Sequence, residues 1–289
     1  MFKGTFAAMV TPFRQGKVDE KALRKQVDFL IAGGVEGLVP CGSTGESATL
    51  EHKEHKKVID VVLEQAKRRV PVIAGTGSNS TEEALELTLY AKKAGAEGVL
   101  LITPYYNKPT PEGQYLHFST IAKKTEIPIV LYNIPGRTGV NVTPATIARL
   151  AKIPNIVAIK ESSGSLDQAS QIRQLCNITL LSGDDSLTLP MMAVGAAGVI
   201  SVVANLVPSE ISKMVRAFLR GDIQEAQKIH YYLLSLMQIL FIETNPIPVK
   251  TALALMGKIK LEFRLPLCPM RAENRAKLEK TLKEYRLTA

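Results

Sequence analysis

Tryptophan is absent from this 289-residue chain, and only four histidines and three cysteines are present. The cysteines, Cys41, Cys176 and Cys268, are odd in number, far apart, and contain no C-x-x-C pair. That spacing excludes a disulfide framework and offers no zinc site. The first strand-like segment runs into VTPFRQGK, without the G-x-G-x-x-G of a dinucleotide fold, and G-x-x-x-x-G-K-[ST] occurs nowhere. No basic-then-apolar leader opens the chain, so a soluble cytoplasmic protein is expected. The uncharged stretch from Ser186 to Ser209 has the length of a membrane span, but Pro190, Gly195, Gly198, Ser201 and Asn205 interrupt it. It reads better as a buried helix followed by a buried strand. The excess of base over acid (36 against 27, net +9) has no aromatic interleaving. In segments such as Glu51, Lys53, Glu54, Lys56 and Lys57 it alternates with acid, as on a solvated helix face. Neither a nucleic-acid nor a membrane partner is expected.

What is present is a repeated alternation. Eight short β-branched runs start at Thr5, Gly37, Val70, Gly98, Ile127, Ile156, Ile178 and Gly198. Amphipathic segments separate them, with stripes such as Leu23, Val27, Leu30, Ile31 and Val58, Val61, Val62, Ala66. Thr81 before Glu82 and Glu83 marks a helix start. Continuously apolar strands covered by helices predict a parallel sheet buried on both faces, and eight units in about 205 residues predict an α/β (β/α)8 TIM barrel. Beyond the eighth strand the pattern is helical: Ser209 to Ile242 with a break near Gly221, then about Pro248–Ile259 and Arg271–Tyr285. The expected division is a barrel over 1–224 and a C-terminal helical extension over 225–289.

Such barrels place their chemistry at the C-terminal ends of strands. In Ile156-Val157-Ala158-Ile159-Lys160, alternation puts Lys160 on the same face as Ala158. There it is either a partly desolvated amine able to attack a carbonyl or the partner of a carboxylate such as Glu161. Tyr132 ends strand five as a proton shuttle or a packed core side chain. Arg137, on the following glycine-flanked loop, is a carboxylate clamp or a solvated cation. Cys41-Gly42-Ser43-Thr44-Gly45-Glu46 offers hydroxyls and open backbone N–H groups, a weak anion-cradle signal by itself. Tyr105 and Tyr106 are surface aromatics or an interface. His52 and His55 share a helix face, but no third ligand is spaced for a metal, so none is expected.

Taken together, GSTGES, TPYYNKP, YNIPGRTG, IVAIKESSG, LSGDDS and NPIPVK resemble, in order and spacing, the dihydrodipicolinate synthase family of class I aldolases in lysine biosynthesis. The resemblance covers essentially the whole chain; its more specific marks are Arg137, the tyrosine pair and NPIPVK. It implies that Lys160 forms an imine with pyruvate and that the enamine attacks L-aspartate 4-semialdehyde, with no cofactor. It implies a hydroxyl relay of Tyr132, Ser43 and a neighbouring subunit's Tyr106, in a homotetramer built as a dimer of dimers. Ser43 and Thr44 would hold the pyruvate carboxylate, Arg137 the aldehyde substrate's carboxylate, and Gly183 and Ile200 would line the site. Ser47, Ala48, His52, His55, Asn79, Glu83 and Tyr105 match the pocket at which feedback-inhibited members bind the effector L-lysine. One departure is Ser43, where the family commonly has threonine. Two rival readings are a sister lyase acting on N-acetylneuraminate or a 2-keto-3-deoxy sugar acid, and a catalytically idle, lysine-binding barrel. Arg137 argues against the first and the mouth lysine against the second.

Overall fold

In the computed structural model, which describes residues 2–288, the eight apolar runs are eight parallel strands. They are β1 (Gly4–Ala8), β2 (Gly37–Val39), β3 (Ile73–Gly75), β4 (Gly98–Ile102), β5 (Ile129–Asn133), β6 (Ile156–Glu161), β7 (Thr179–Ser182) and β8 (Gly198–Ser201). They are ordered β2-β1-β8-β7-β6-β5-β4-β3, and a parallel bridge between Leu38 and Val72 closes the ring. Closure removes the free sheet edge. Two strands start later than the β-branched pattern suggests, at Ile73 and Ile129, because Pro71 and Pro128 have no N–H for the ladder.

Helices α1 (Glu20–Ala32), α2 (His52–Ala66), α3 (Thr81–Ala94), α4 (Pro111–Thr125), α5 (Pro144–Leu150), α6 (Leu166–Leu175), α7 (Thr188–Ala193) and α8 (Pro208–Leu219) surround the barrel. A further short helix, Pro135–Thr138, caps β5. Each long helix buries the stripe seen in the sequence: Leu23, Val27 and Leu30 in α1, and Val58, Val61, Val62 and Ala66 in α2. The cap of α3 is Ser80 rather than Thr81. Ser80 is still extended and its side chain accepts from the Glu83 N–H, whereas Thr81 is already helical. Basic helix faces pair across neighbours, Arg24 with Glu64, Lys56 with Glu86 and Arg149 with Glu112.

Two apolar layers result. The larger lies between sheet and helices. The smaller fills the barrel with Phe2, Phe6, Ala8, Val39, Ile73, Leu100, Val130, Tyr132, Ala158, Leu181 and Ile200. The stretch from Ser186 to Ser209 divides into α7 and β8, as its pattern change indicates, and among the described residues no helix is long and apolar enough to cross a membrane. After α8 the chain turns at Arg220–Asp222. It continues as α9 (Ile223–Ile239), α10 (Ile247–Leu255) and α11 (Ala272–Glu284). The segment leading into α10 returns over the C-terminal mouth of the barrel, where Asn245 meets Thr44 and Arg137.

Candidate active site

Register decides where Lys160 points. It lies beside Tyr132 on β5 and Leu181 on β7, and alternation turns it inward with Ala158. Lys160 is 5% exposed, and its Nζ lies 4.3 Å from the centre of the Tyr132 ring. Glu161, the carboxylate that could have paired with it, faces the other way. Its oxygens accept from Asn133 Nδ2 at 3.0 and 3.2 Å, the Ser163 N–H at 2.7 Å and Gln168 Nε2 at 3.2 Å.

Gly183 follows β7, and a Cβ there would overlap Ser162 Oγ and come within 2.9 Å of Lys160 Cε. Its missing side chain is therefore what gives the lysine stem its room. Asp184 comes next: burial pushes its carboxyl up to about 6, opposed by the nearby Lys160 charge. Ile200 lies in the apolar layer inside the barrel.

Tyr132, beside Lys160, is also in the lining of a cavity of about 370 Å3, together with Ser43, Arg137 and Asn245; Lys160, Gly183 and Ile200 are not in that lining. A larger concavity of about 590 Å3 lies elsewhere, between α1 and the C-terminal segment, and contains none of the strand-end groups. Ser43 and Thr44 form a single tight turn after β2. Thr44 is buried, and its Oγ1 accepts from Asn245 Nδ2 at 3.0 Å. Arg137 Nη2 donates to the Asn245 carbonyl at 2.8 Å. Asn245 thus ties the turn after β2 to the loop after β5. The NPIPVK motif signalled its segment, but no sequence pattern assigned the residue a contact 201 positions away.

Tyr106 stands apart from this group. It is 90% exposed on the loop after β4, with φ of 70°, and does not line the cavity of its own chain. Tyr105 beside it is half-buried and does line it. Burial, with the Glu83 charge adding to it, raises the Tyr105 phenol pKa.

The cavity continues to the faces of α2 and α3. His52 Nε2 meets Glu83 Oε1 at 2.7 Å, and Ser78 Oγ donates to the other Glu83 oxygen. The Ser78 hydrogen bond and then His52 hold the Glu83 carboxyl below its usual range. His55 is buried against the Gly75 carbonyl, 2.7 Å from its Nε2, and burial lowers its pKa. Ser47 and Ala48 also line this end. Asn79 is not in the lining; its carbonyl accepts from Asn107 Nδ2 at 2.9 Å. The two histidines therefore have different partners, a carboxylate and a backbone carbonyl.

Known proteins resemble the chain over its full length. The model of the dihydrodipicolinate synthetase family matches residues 1–285. The 4-hydroxy-tetrahydrodipicolinate synthase of Trichlorobacter lovleyi is 60% identical over 289 residues, covering 99% of this chain and all of that protein. The crystal structure of dihydrodipicolinate synthase from Aquifex aeolicus superposes with a TM-score of 0.98 at 50% identity, covering 99% of each chain. That from Cyanidioschyzon merolae, solved with lysine bound, has a TM-score of 0.96 at 41% identity, again over 99% of each chain.

Proposed function

This chain belongs to the dihydrodipicolinate synthetase family, a family of aldolase-type lyases, and from that premise we propose that Lys160 condenses pyruvate with L-aspartate 4-semialdehyde through a Schiff base. The observation that carries this reading is the burial of Lys160 at a strand end, against the Tyr132 ring, with Glu161 turned away. An amine in such a place is held by the barrel wall within reach of a carbonyl, and a lysine so placed is the nucleophile that forms imines with carbonyl substrates.

In this reading the Lys160 amine adds to the pyruvate carbonyl carbon and water leaves, giving an iminium. The iminium draws electrons from the adjacent methyl C–H bonds, so a proton departs and an enamine forms. The enamine carbon bonds to the aldehyde carbon of the second substrate, whose amino group then displaces Lys160 by transimination and closes the ring. Tyr132, Ser43 and the partner subunit's Tyr106 move the protons. The N–H groups of Ser43 and Thr44 hold the pyruvate carboxylate, Arg137 receives the carboxylate of the aldehyde, and Gly183 and Ile200 shape the floor. The exposure of Tyr106 outside its own cavity supports a site completed by a neighbour, in a homotetramer of tight dimers. Three unpaired cysteines support a cytoplasmic setting.

Borohydride added with pyruvate tests the reading. A permanent mass increase is expected on the peptide containing Lys160 and none in Lys160→Ala; an unmodified wild-type peptide would end it.

Feedback by L-lysine belongs to the same proposal. The Glu83 carboxylate supplies an ammonium partner, with Ser47, Ala48, His52, His55 and Tyr105 in the same cavity lining and Asn79 just outside it. A lysine complex in the Cyanidioschyzon relative supports this. Millimolar L-lysine should lower the rate of pyruvate turnover, and an unchanged rate would remove the proposal.

A further inference from the structure

The turn carrying Ser43 and Thr44 ends on Glu46, a residue other than glycine with φ of 54°. Glycine is the ordinary occupant of that left-handed region, because any side chain there crowds the backbone. Glu46 nevertheless carries one, and it is wholly buried. One carboxylate oxygen accepts from Lys250 Nζ, and the other accepts from the Arg264 N–H at 3.3 Å.

Lys250 is equally buried, on α10 and 204 residues along the chain. Its Nζ lies 4.3 Å from the centre of the Phe13 ring and 5.1 Å from that of Phe263. Burial lowers its pKa while Glu46 holds it up. A buried pair of this kind adds little stability over well-packed apolar side chains, so stability alone does not account for two charges in this place. Position does. Asn245 holds Thr44 and Lys250 holds Glu46, so one segment of the C-terminal extension grips both sides of the same turn. The Thr11 hydroxyl adds a bond to the Gly45 carbonyl at 2.7 Å. Arg264 secures the far end: it is bidentate to Glu54 at 2.5 and 2.6 Å and donates to the Thr49 carbonyl at 2.9 Å.

We propose that Glu46 is a positioning residue for the pyruvate-binding turn, held in place by Lys250 of the C-terminal extension. The N–H groups of Ser43 and Thr44 then face a carboxylate only while this pair is intact, which rests on the reading of Lys160 and the turn given above. Both side chains of the pair are fully buried, so it acts through the turn's backbone.

The full-length variant E46Q/K250M removes both charges together and leaves no buried ion unpaired. Its KM for pyruvate is expected to rise by about tenfold or more with a smaller change in kcat, since misplaced donors weaken binding before they alter chemistry. In ligand-free protein, the amides of residues 42–47 should exchange hydrogen faster than in wild type, with the thermal midpoint nearly unchanged. A wild-type KM with wild-type exchange at these amides overturns the proposal, as does a fall in thermal midpoint with KM unchanged. Glu46→Asp keeps the charge but shortens the reach by one methylene. It should raise KM in the same direction, and it decides the question if the double variant does not fold. Should wild type give no borohydride adduct at Lys160, the catalytic reading fails. Exchange at 42–47 in the ligand-free protein then still decides whether the pair holds the turn.

Discussion

At Lys160 two constraints meet. Alternation along β6 turns its side chain inward, and Gly183 leaves space for its stem. The first was legible in Ala158-Ile159-Lys160. The second was not, because the crowding comes from a residue on the next strand end. Arg137 poses a specificity question at the same scale. A guanidinium held by the Asn245 carbonyl offers its remaining donors to an incoming carboxylate, and a charge-assisted contact of this kind contributes roughly 1.5–3 kcal/mol. Arg137→Ala should therefore lower kcat/KM for L-aspartate 4-semialdehyde by about tenfold to a hundredfold. The KM for pyruvate should change little, because the proposed function assigns Arg137 to the other substrate's carboxylate. Steady-state kinetics with each substrate varied in turn separates the two effects. A selective rise in the pyruvate KM would reverse the assignment.

Among the elements, α2, α3 and α4 bring buried histidines into the account of stability. His117, on α4, is 6% exposed, with Nδ1 2.9 Å from Thr81 Oγ1. Burial pushes its pKa down to about 4, and burial also lowers that of His55 on α2. An unfolded histidine titrates near 6.5, so below that pH the unfolded chain binds protons that the folded chain refuses. Stability from these residues is complete above about pH 6.5 and is lost as pH falls towards the folded values. For His117 the loss approaches about 3 kcal/mol once pH reaches the folded value. Thermal unfolding between pH 7 and about 5.5, above the ordinary carboxylate range, should show a falling midpoint. His117→Gln should flatten that slope, and an equal slope in both proteins would refute the assignment. The stripes that place these helices were plain in the sequence. The burial of His117 among them was not, since a histidine on an amphipathic helix fits either face.

On the scale of the whole molecule, Tyr106 is exposed outside its own chain's cavity, and the proposed function has it complete the site of another chain. Mixing two impaired variants tests this directly. In a dimer formed from Lys160→Ala and Tyr106→Phe chains, one site keeps its own Lys160 and receives the partner subunit's Tyr106 from the Lys160→Ala chain. Subunits unfolded and reassembled together in equal amounts form half mixed dimers, each with one intact site, so activity should return to about a quarter of wild type. Activity no greater than the sum of the two parents would show that Tyr106 serves its own chain or none.

The sequence by itself determined the eight-fold alternation, the inward face of β6 and the motifs that carry the family, because each depends on neighbours within a few residues. Periodicity and short spacing are local properties of the chain. Strand position alone left Lys160 open between a free amine and the partner of Glu161, the family motifs favoured the imine, and Glu46 and Lys250 stood without partners. Only the tertiary structure shows which groups these side chains meet. Asn133, Ser163 and Gln168 claim the Glu161 carboxylate, and Lys250 meets Glu46 across 204 residues. Closing the barrel and folding the C-terminal extension over its mouth brings distant charges together, and partners so far apart leave no periodic trace in the chain.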